Sequence, residues 1–188
     1  GEMAEAVEFI AQIMFKEAKP ELRLYSGMKI AGPERTLSQA KTDKFLMEQL
    51  VGKAKALQSV EGTFVAIVKT GAGEWGLAAL VQLGKAYENM AEALTTSFTP
   101  AYLSEEQSEI YRMGLEDKAY VQTEKAVNVY AQALSKSYEL HLYNENTAYA
   151  TRRLGELRPD DFPVLEEEVL ESRFTSRSRR DTAFEETP

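Results

Sequence analysis

QSEIYRMGLEDKAYVQTEKAVNVYAQALSKSYEL, Gln107 to Leu140, is the stretch that decides the fold. It reads as two short helices joined by a turn near Val121 to Thr123, with small residues where the helices would have to touch. Ile110, Met113 and Gly114 stand in the first half, and Ala126, Tyr130 and Ala133 in the second. Glycine and alanine let two helix backbones approach closely, and an aromatic ring then fills the remaining gap.

This layout resembles the tetratricopeptide repeat. Of its eight signature positions, six are met by Ile110, Met113, Gly114, Ala126, Tyr130 and Ala133, while Asp117 and Tyr138 replace the expected tyrosine and proline. Upstream, Leu80, Leu83, Gly84 and Tyr87 fit the first helix of such a repeat. Thr96 and Pro100 occupy the places where its second helix would present alanine and an aromatic, so a regular array is not expected.

Other elements follow from periodicity and punctuation. A first helix is predicted over Met3 to Ala18, with Met3, Ala6, Ile10 and Ile13 as its apolar stripe and Pro20 as its stop. Glu21 to Arg35 reads as a linker. Thr36 and Gln39 form a capping box for a second helix, whose stripe is Leu46, Leu50, Leu57, Val60, Phe64 and Ile67, with a break point at Gly62. A third helix, Trp75 to Leu94, buries Leu80, Leu83, Tyr87, Met90 and Leu94. Ser104 caps the fourth, Glu124 to Tyr138 is the fifth, and the sixth starts at Asn144 or Asn146 and ends by Leu157.

The tail differs. From Pro159 onward, nine acidic and four arginine side chains give a net charge of -5, out of -8 for all 188 residues. Disorder is expected from Ser172 to Pro188, and Leu165, Val169 and Leu170 are expected to form one last short helix docked on the stack. The domain reading is thus an N-terminal helix and linker over 1–35, a helical domain over 36–163 and a tail over 164–188.

Composition narrows the function. The acidic balance disfavours non-specific binding to nucleic acid or anionic lipid. The absence of cysteine removes disulfides, thiolate metal sites and cysteine nucleophiles. No apolar run approaches the roughly 18 residues of a membrane span. Gly1 to Phe15 lacks a secretory signal pattern, although Gly1-Glu2-Met3 reads as a boundary with an upstream segment left open.

Chemistry has one sharp candidate. Gly71-Ala-Gly73-Glu-Trp-Gly76 matches the G-x-G-x-x-G of dinucleotide-binding folds, after a strand-like Thr63 to Val68. That fingerprint is specific only within a βαβ unit, and no second strand follows, so a helix C-cap and tight turn is the favoured reading. His141, the sole histidine, has no local partners for catalysis or metal binding and reads as a helix-end residue. Glu166 to Glu168 read as solvated, and no cofactor or metal is expected. Arg173, Arg177, Arg179 and Arg180 read as a solvated tail, the alternatives being docking on an acidic partner or control by phosphorylation.

At Leu83-Gly-Lys-Ala-Tyr87, Ile110-Tyr-Arg-Met-Gly-Leu115, Lys125-Ala126 and Leu154-Gly-Glu-Leu-Arg-Pro159 the chain resembles tetratricopeptide-repeat envelope proteins of myxobacteria and related bacteria, over about residues 45–163. Relatives in that group include gliding-motility components. The resemblance implies a periplasmic or outer-membrane-associated scaffold without a catalytic role.

The expected architecture is therefore all-α, a right-handed solenoid of about six helices in antiparallel pairs. Repeat geometry puts Ser108, Tyr111, Arg112, Leu115 and Lys118, with Tyr149, Arg152 and Arg153 on the sixth helix, along one concave strip. A basic and aromatic strip of that kind would clamp an acidic peptide or a C-terminus of a protein partner. The alternatives are that the N-terminal helix or the tail covers it, that exposed ends stack in self-assembly, or that Gly71 to Gly76 serves a nucleotide-dependent enzyme.

Overall fold

The computed structural model describes residues 1–163; the expected tail helix, the arginine cluster and the acidic run lie outside the described residues. Within them the chain is all-α, with α1 (Glu2–Gly27), α2 (Gln39–Lys69), α3 (Glu74–Thr95), α4 (Glu105–Leu140) and α5 (Glu145–Leu157), and no strand.

α3 is the centre. Leu77, Ala79, Val81, Leu83, Gly84, Ala86 and Tyr87 point in nearly every direction around it and all are buried. A helix apolar on all sides must be enclosed, and α1, α2, α4 and α5 all pack on this one. The tight turn Thr70 to Gly73, with Gly71 at φ 80°, returns the chain antiparallel from α2 to α3. α1 runs alongside, with its Phe15 ring against Phe64 and Trp75 at 5.7 and 5.2 Å. Tyr25 Oη donates to Ala86 O at 2.6 Å.

Among the described residues five helices replace the expected six or so. The turn predicted at Val121 to Thr123 is absent, and α4 continues through it for 36 residues. Nothing there breaks a helix: Val121-Gln-Thr-Glu124 contains neither glycine nor proline, and Thr123 Oγ1 bonds back to Ala119 O at 3.2 Å without interrupting the ladder. The two halves of the repeat signature are therefore one helix and cannot pack on each other.

Their real partners lie elsewhere. Ala126, Tyr130 and Ala133 are fully buried and face α3, where a Cβ on Gly84 would overlap the Tyr130 ring. Gly76 beside Lys136 and the Lys125 ammonium 5.3 Å from the Tyr87 ring centre set the two helices antiparallel. The upstream fragment Leu80, Leu83, Gly84 and Tyr87 thus finds its second helix in Ala126 to Ala133, Gly84 meeting Tyr130 46 residues later, beyond the segment where repeat spacing places it.

Four further expectations need correction. Pro20 does not stop α1, which runs on to Gly27. Proline removes one N–H, at a cost of about 3 kcal/mol, and the burial of Phe15, Ala18 and Tyr25 on either side of it offsets that loss. The stripe of α1 is also on the wrong face, since Met3 is 84% and Ile10 53% exposed while Ala11, Phe15 and Ala18 are buried. Finally, α2 starts after Ser38, whose side chain makes no capping bond, rather than from a Thr36 and Gln39 box, and it passes Gly62 unbroken.

Candidate functional site

At about 1.5 Å per residue, α4 extends roughly 54 Å and α3 roughly 33 Å, so the first half of α4 continues beyond the end of its partner. α2 likewise outruns α3, and α2 and α4 do not pack on each other. Their free halves face one another across a groove of about 780 Å³. Leu46, Met47 and Leu50 line one wall; Ile110, Leu115 and Val121 line the other.

The segment between α3 and α4 closes one end. Phe98 N–H donates to Ile30 O at 3.1 Å, and Tyr111 Oη to Phe98 O at 3.4 Å, tying the segment to both sides. Tyr102 Oη donates to the Asp43 carboxylate, a bond that pushes the phenol up to about 12. α4 begins at the expected cap, Ser104, which the structure completes into a capping box, Ser104 Oγ accepting from Gln107 N–H and Gln107 Oε1 from Ser104 N–H. Negative charge at Glu105 and Glu106 complements the helix dipole there. Both walls keep apolar side chains in water, Ile110 64% and Val121 53% exposed on α4 and Met47 59% on α2, while Leu46 and Leu115 are buried.

The predicted strip is divided. Tyr111, Leu115 and Lys118 line this groove, and Ser108 and Arg112 lie just outside it, Arg112 Nε donating to Ser108 O at 3.4 Å. Tyr149 and Arg153 sit instead against Lys85 and Glu88 of α3. Tyr111 to Tyr130, the α4 residue that Tyr149 touches, is 19 residues or roughly 28 Å along the helix. The two arms do not form one surface. Arg153 is also engaged, its guanidinium gripping Glu88 with Nε–Oε1 3.1 Å and Nη2–Oε2 3.0 Å, which raises its pKa further. Arg152 remains exposed, its guanidinium 5.2 Å from the Tyr149 ring centre.

The glycine motif holds an internal ligand. Glu8 Oε1 accepts from Gly73 N–H at 2.5 Å and from Glu74 N–H at 3.2 Å, so a carboxylate from α1 occupies the N-terminus of α3. The strand that a dinucleotide fingerprint requires before Gly71 is α2, a helix through Lys69. His141 caps α4 in the left-handed region at φ 54°, an exposed helix-end residue. Among the described residues no cluster of metal-ligating side chains occurs and no helix is long and apolar enough to cross a membrane.

A buried lysine went unread in the sequence. Lys53 lies on α2 with no exposed surface, and its Nζ donates to Met28 O and Asn89 Oδ1 at 2.7 Å each and to Tyr25 O at 3.3 Å. It therefore caps the C-terminal carbonyls of α1 and joins them to α3. Burial pulls its pKa down to about 8, partly opposed by Glu92. Sequence offered only a weak signal, a lysine on the apolar stripe between Leu50 and Leu57. Met47 and Val121 were missed as groove residues because they lie off any buried stripe; Ile110 was read as a packing residue. Compared with known proteins, the chain matches no family model, no curated protein and no solved structure.

Proposed function

We propose that the protein is a non-catalytic interaction scaffold that seats an amphipathic helix of a protein partner between α2 and α4. One observation carries this reading: apolar side chains on two facing helix walls stand in solvent with space for a further element between them. An amphipathic helix inserts apolar residues at i, i+3, i+4 and i+7 into such a groove. Lys118, Asp117 and Asp43 at the groove can pair with charges flanking those anchors.

The resemblance to envelope proteins supplies the setting in this proposal, a periplasmic or outer-membrane complex. The pair formed by α3 and the second half of α4 is then the repeat unit, to which further pairs would add to make a solenoid. The apolar groove replaces the basic strip as the docking surface, because Arg153 is already held by Glu88.

The test is affinity capture from envelope lysate, read by mass spectrometry. Partners lost with Met47→Asp/Ile110→Asp but kept with Arg112→Glu/Arg152→Glu support the groove. The reverse pattern restores the basic strip, and retention by both double variants refutes either docking surface.

A further inference from the structure

We propose that the helix seated in the groove is α1 of a second copy of this chain, so that copies join head to tail. The inference rests on the groove being a docking site for a helix, and it names that helix. Two apolar faces lack a partner among the described residues: the groove, and the outer side of α1. On that side Met3, Ala6, Ile10 and Ile13 recur at steps of three and four, with Phe9 beside them. All five are exposed, Phe9 at 62% and Ile13 at 41%. α1 packs on α2 and α3 through a different side, that of Ala11, Phe15 and Ala18. It therefore carries two apolar faces, and one is spare.

A single copy cannot bring ridge and groove together. Glu8 ties the first turns of α1 to the Gly73 and Glu74 amides, at the far end of α2 from the groove. From Met47 in the groove to Lys69 at that end, α2 runs 22 residues, roughly 33 Å. Between copies the two surfaces agree in shape. The convex ridge from Met3 to Ile13 extends roughly 15 Å, against roughly 17 Å for the wall from Ile110 to Val121. Its spacing is the one by which an amphipathic helix fills a groove. Charge agrees as well. Before Lys16 the charged side chains of α1 are all glutamates, and Glu2 and Glu5 flank the ridge in solvent. At the groove Asp43 is already engaged by Tyr102, which leaves Lys118 exposed beside Asp117. Ridge and groove are different surfaces, so each contact leaves one of each free, and open chains or closed rings grow.

Sedimentation velocity on the full chain over a dilution series tests this. One helix in one groove is a contact at the small end of specific interfaces, so the native chain should grow beyond dimers as concentration rises. Met47→Asp/Ile110→Asp removes the groove and Phe9→Asp/Ile10→Asp removes the ridge; each variant should be monomeric. An equimolar mixture of the two should give a dimer and nothing larger, because one intact ridge then meets one intact groove. All four side chains are exposed, and an unchanged helical spectrum checks the fold. A native chain that stays monomeric overturns the proposal. So does a ridge variant that still dimerises, which would set groove against groove, or a groove variant that still dimerises, which would set α1 against α1. As a second measurement, Ile10→Cys and Ile110→Cys chains are mixed and oxidised, with no native cysteine to interfere. The control mixes Ile10→Cys with Ala66→Cys, an exposed site on the far half of α2. Mixed disulfide forming about tenfold faster than in the control supports the proposal, and equal rates overturn it. The groove reading fails separately: capture of other proteins that is lost with the groove variant but kept with the ridge variant overturns the second copy as occupant and leaves the docking site standing.

Discussion

The two halves of α4 contrast sharply. Ala126, Tyr130 and Ala133 are sealed against α3, while Ile110, Met113 and Gly114, one repeat half earlier on the same helix, stand in water. Both halves are written in the same residue vocabulary. The difference is the length of the neighbour: α3 ends near Thr95, and beyond it α4 has no helix packed on that side. Burial stabilises the fold where a partner helix exists and leaves a docking surface where one does not.

Substitutions at the packed end should break the molecule first. Tyr130→Ala removes a fully buried ring beside Gly84 and should cost about 4 kcal/mol, read as a lowered denaturation midpoint. If it costs no more than a groove substitution, the contrast between the halves fails.

Lys53→Met comes next, leaving Met28 O, Tyr25 O and Asn89 Oδ1 without their shared donor, at about 2 kcal/mol. The same lysine sets a pH dependence. Its amine titrates at about 8 in the fold and at 10.5 once unfolded, so between those values the unfolded chain holds the extra proton and stability rises with pH. The rise should be followed from pH 8 to 10, because above 10.0 the unfolded chain loses tyrosine protons that buried Tyr25 and Tyr87 keep, which reverses the slope. Lys53→Met should flatten the rise in a denaturant series.

Glu8→Ala should have a smaller effect, about 1 kcal/mol, through loss of the carboxylate at the start of α3. Hydrogen exchange should show the Gly73 and Glu74 amides losing protection while the middle of α3 is unchanged. The smallest effect on stability is expected at the groove: Met47→Asp/Ile110→Asp should shift the midpoint by less than about 0.5 kcal/mol. A large loss of stability there would mean that these side chains belong to the core.

Local chemistry made much of the fold legible. Ser104, Asn144 and Gly71 mark helix ends because their hydrogen bonds and backbone angles involve residues within a few positions of each other. The stripes of α2 and α3 were readable because each has one partner-facing period or none left exposed. The candidate site was legible only in part. Tyr111, Leu115 and Lys118 were named, but as members of a strip whose other arm, Tyr149 and Arg153, lies on a different surface.

Sequence by itself determined that the described chain is helical, where most of its helices start, and the apolar stripe that α2 and one face of α3 bury. Tertiary structure alone decided that α1 crosses Pro20, that it buries Phe15 and Ala18 rather than Ile10 and Ile13, and that Gly84 meets Tyr130, 46 residues later, instead of Gly114 meeting Ala126 nearby. Caps and turns are short-range interactions, fixed by neighbours in the chain. Which apolar face is buried, and which is left to bind, depends on whether another helix is long enough to reach it.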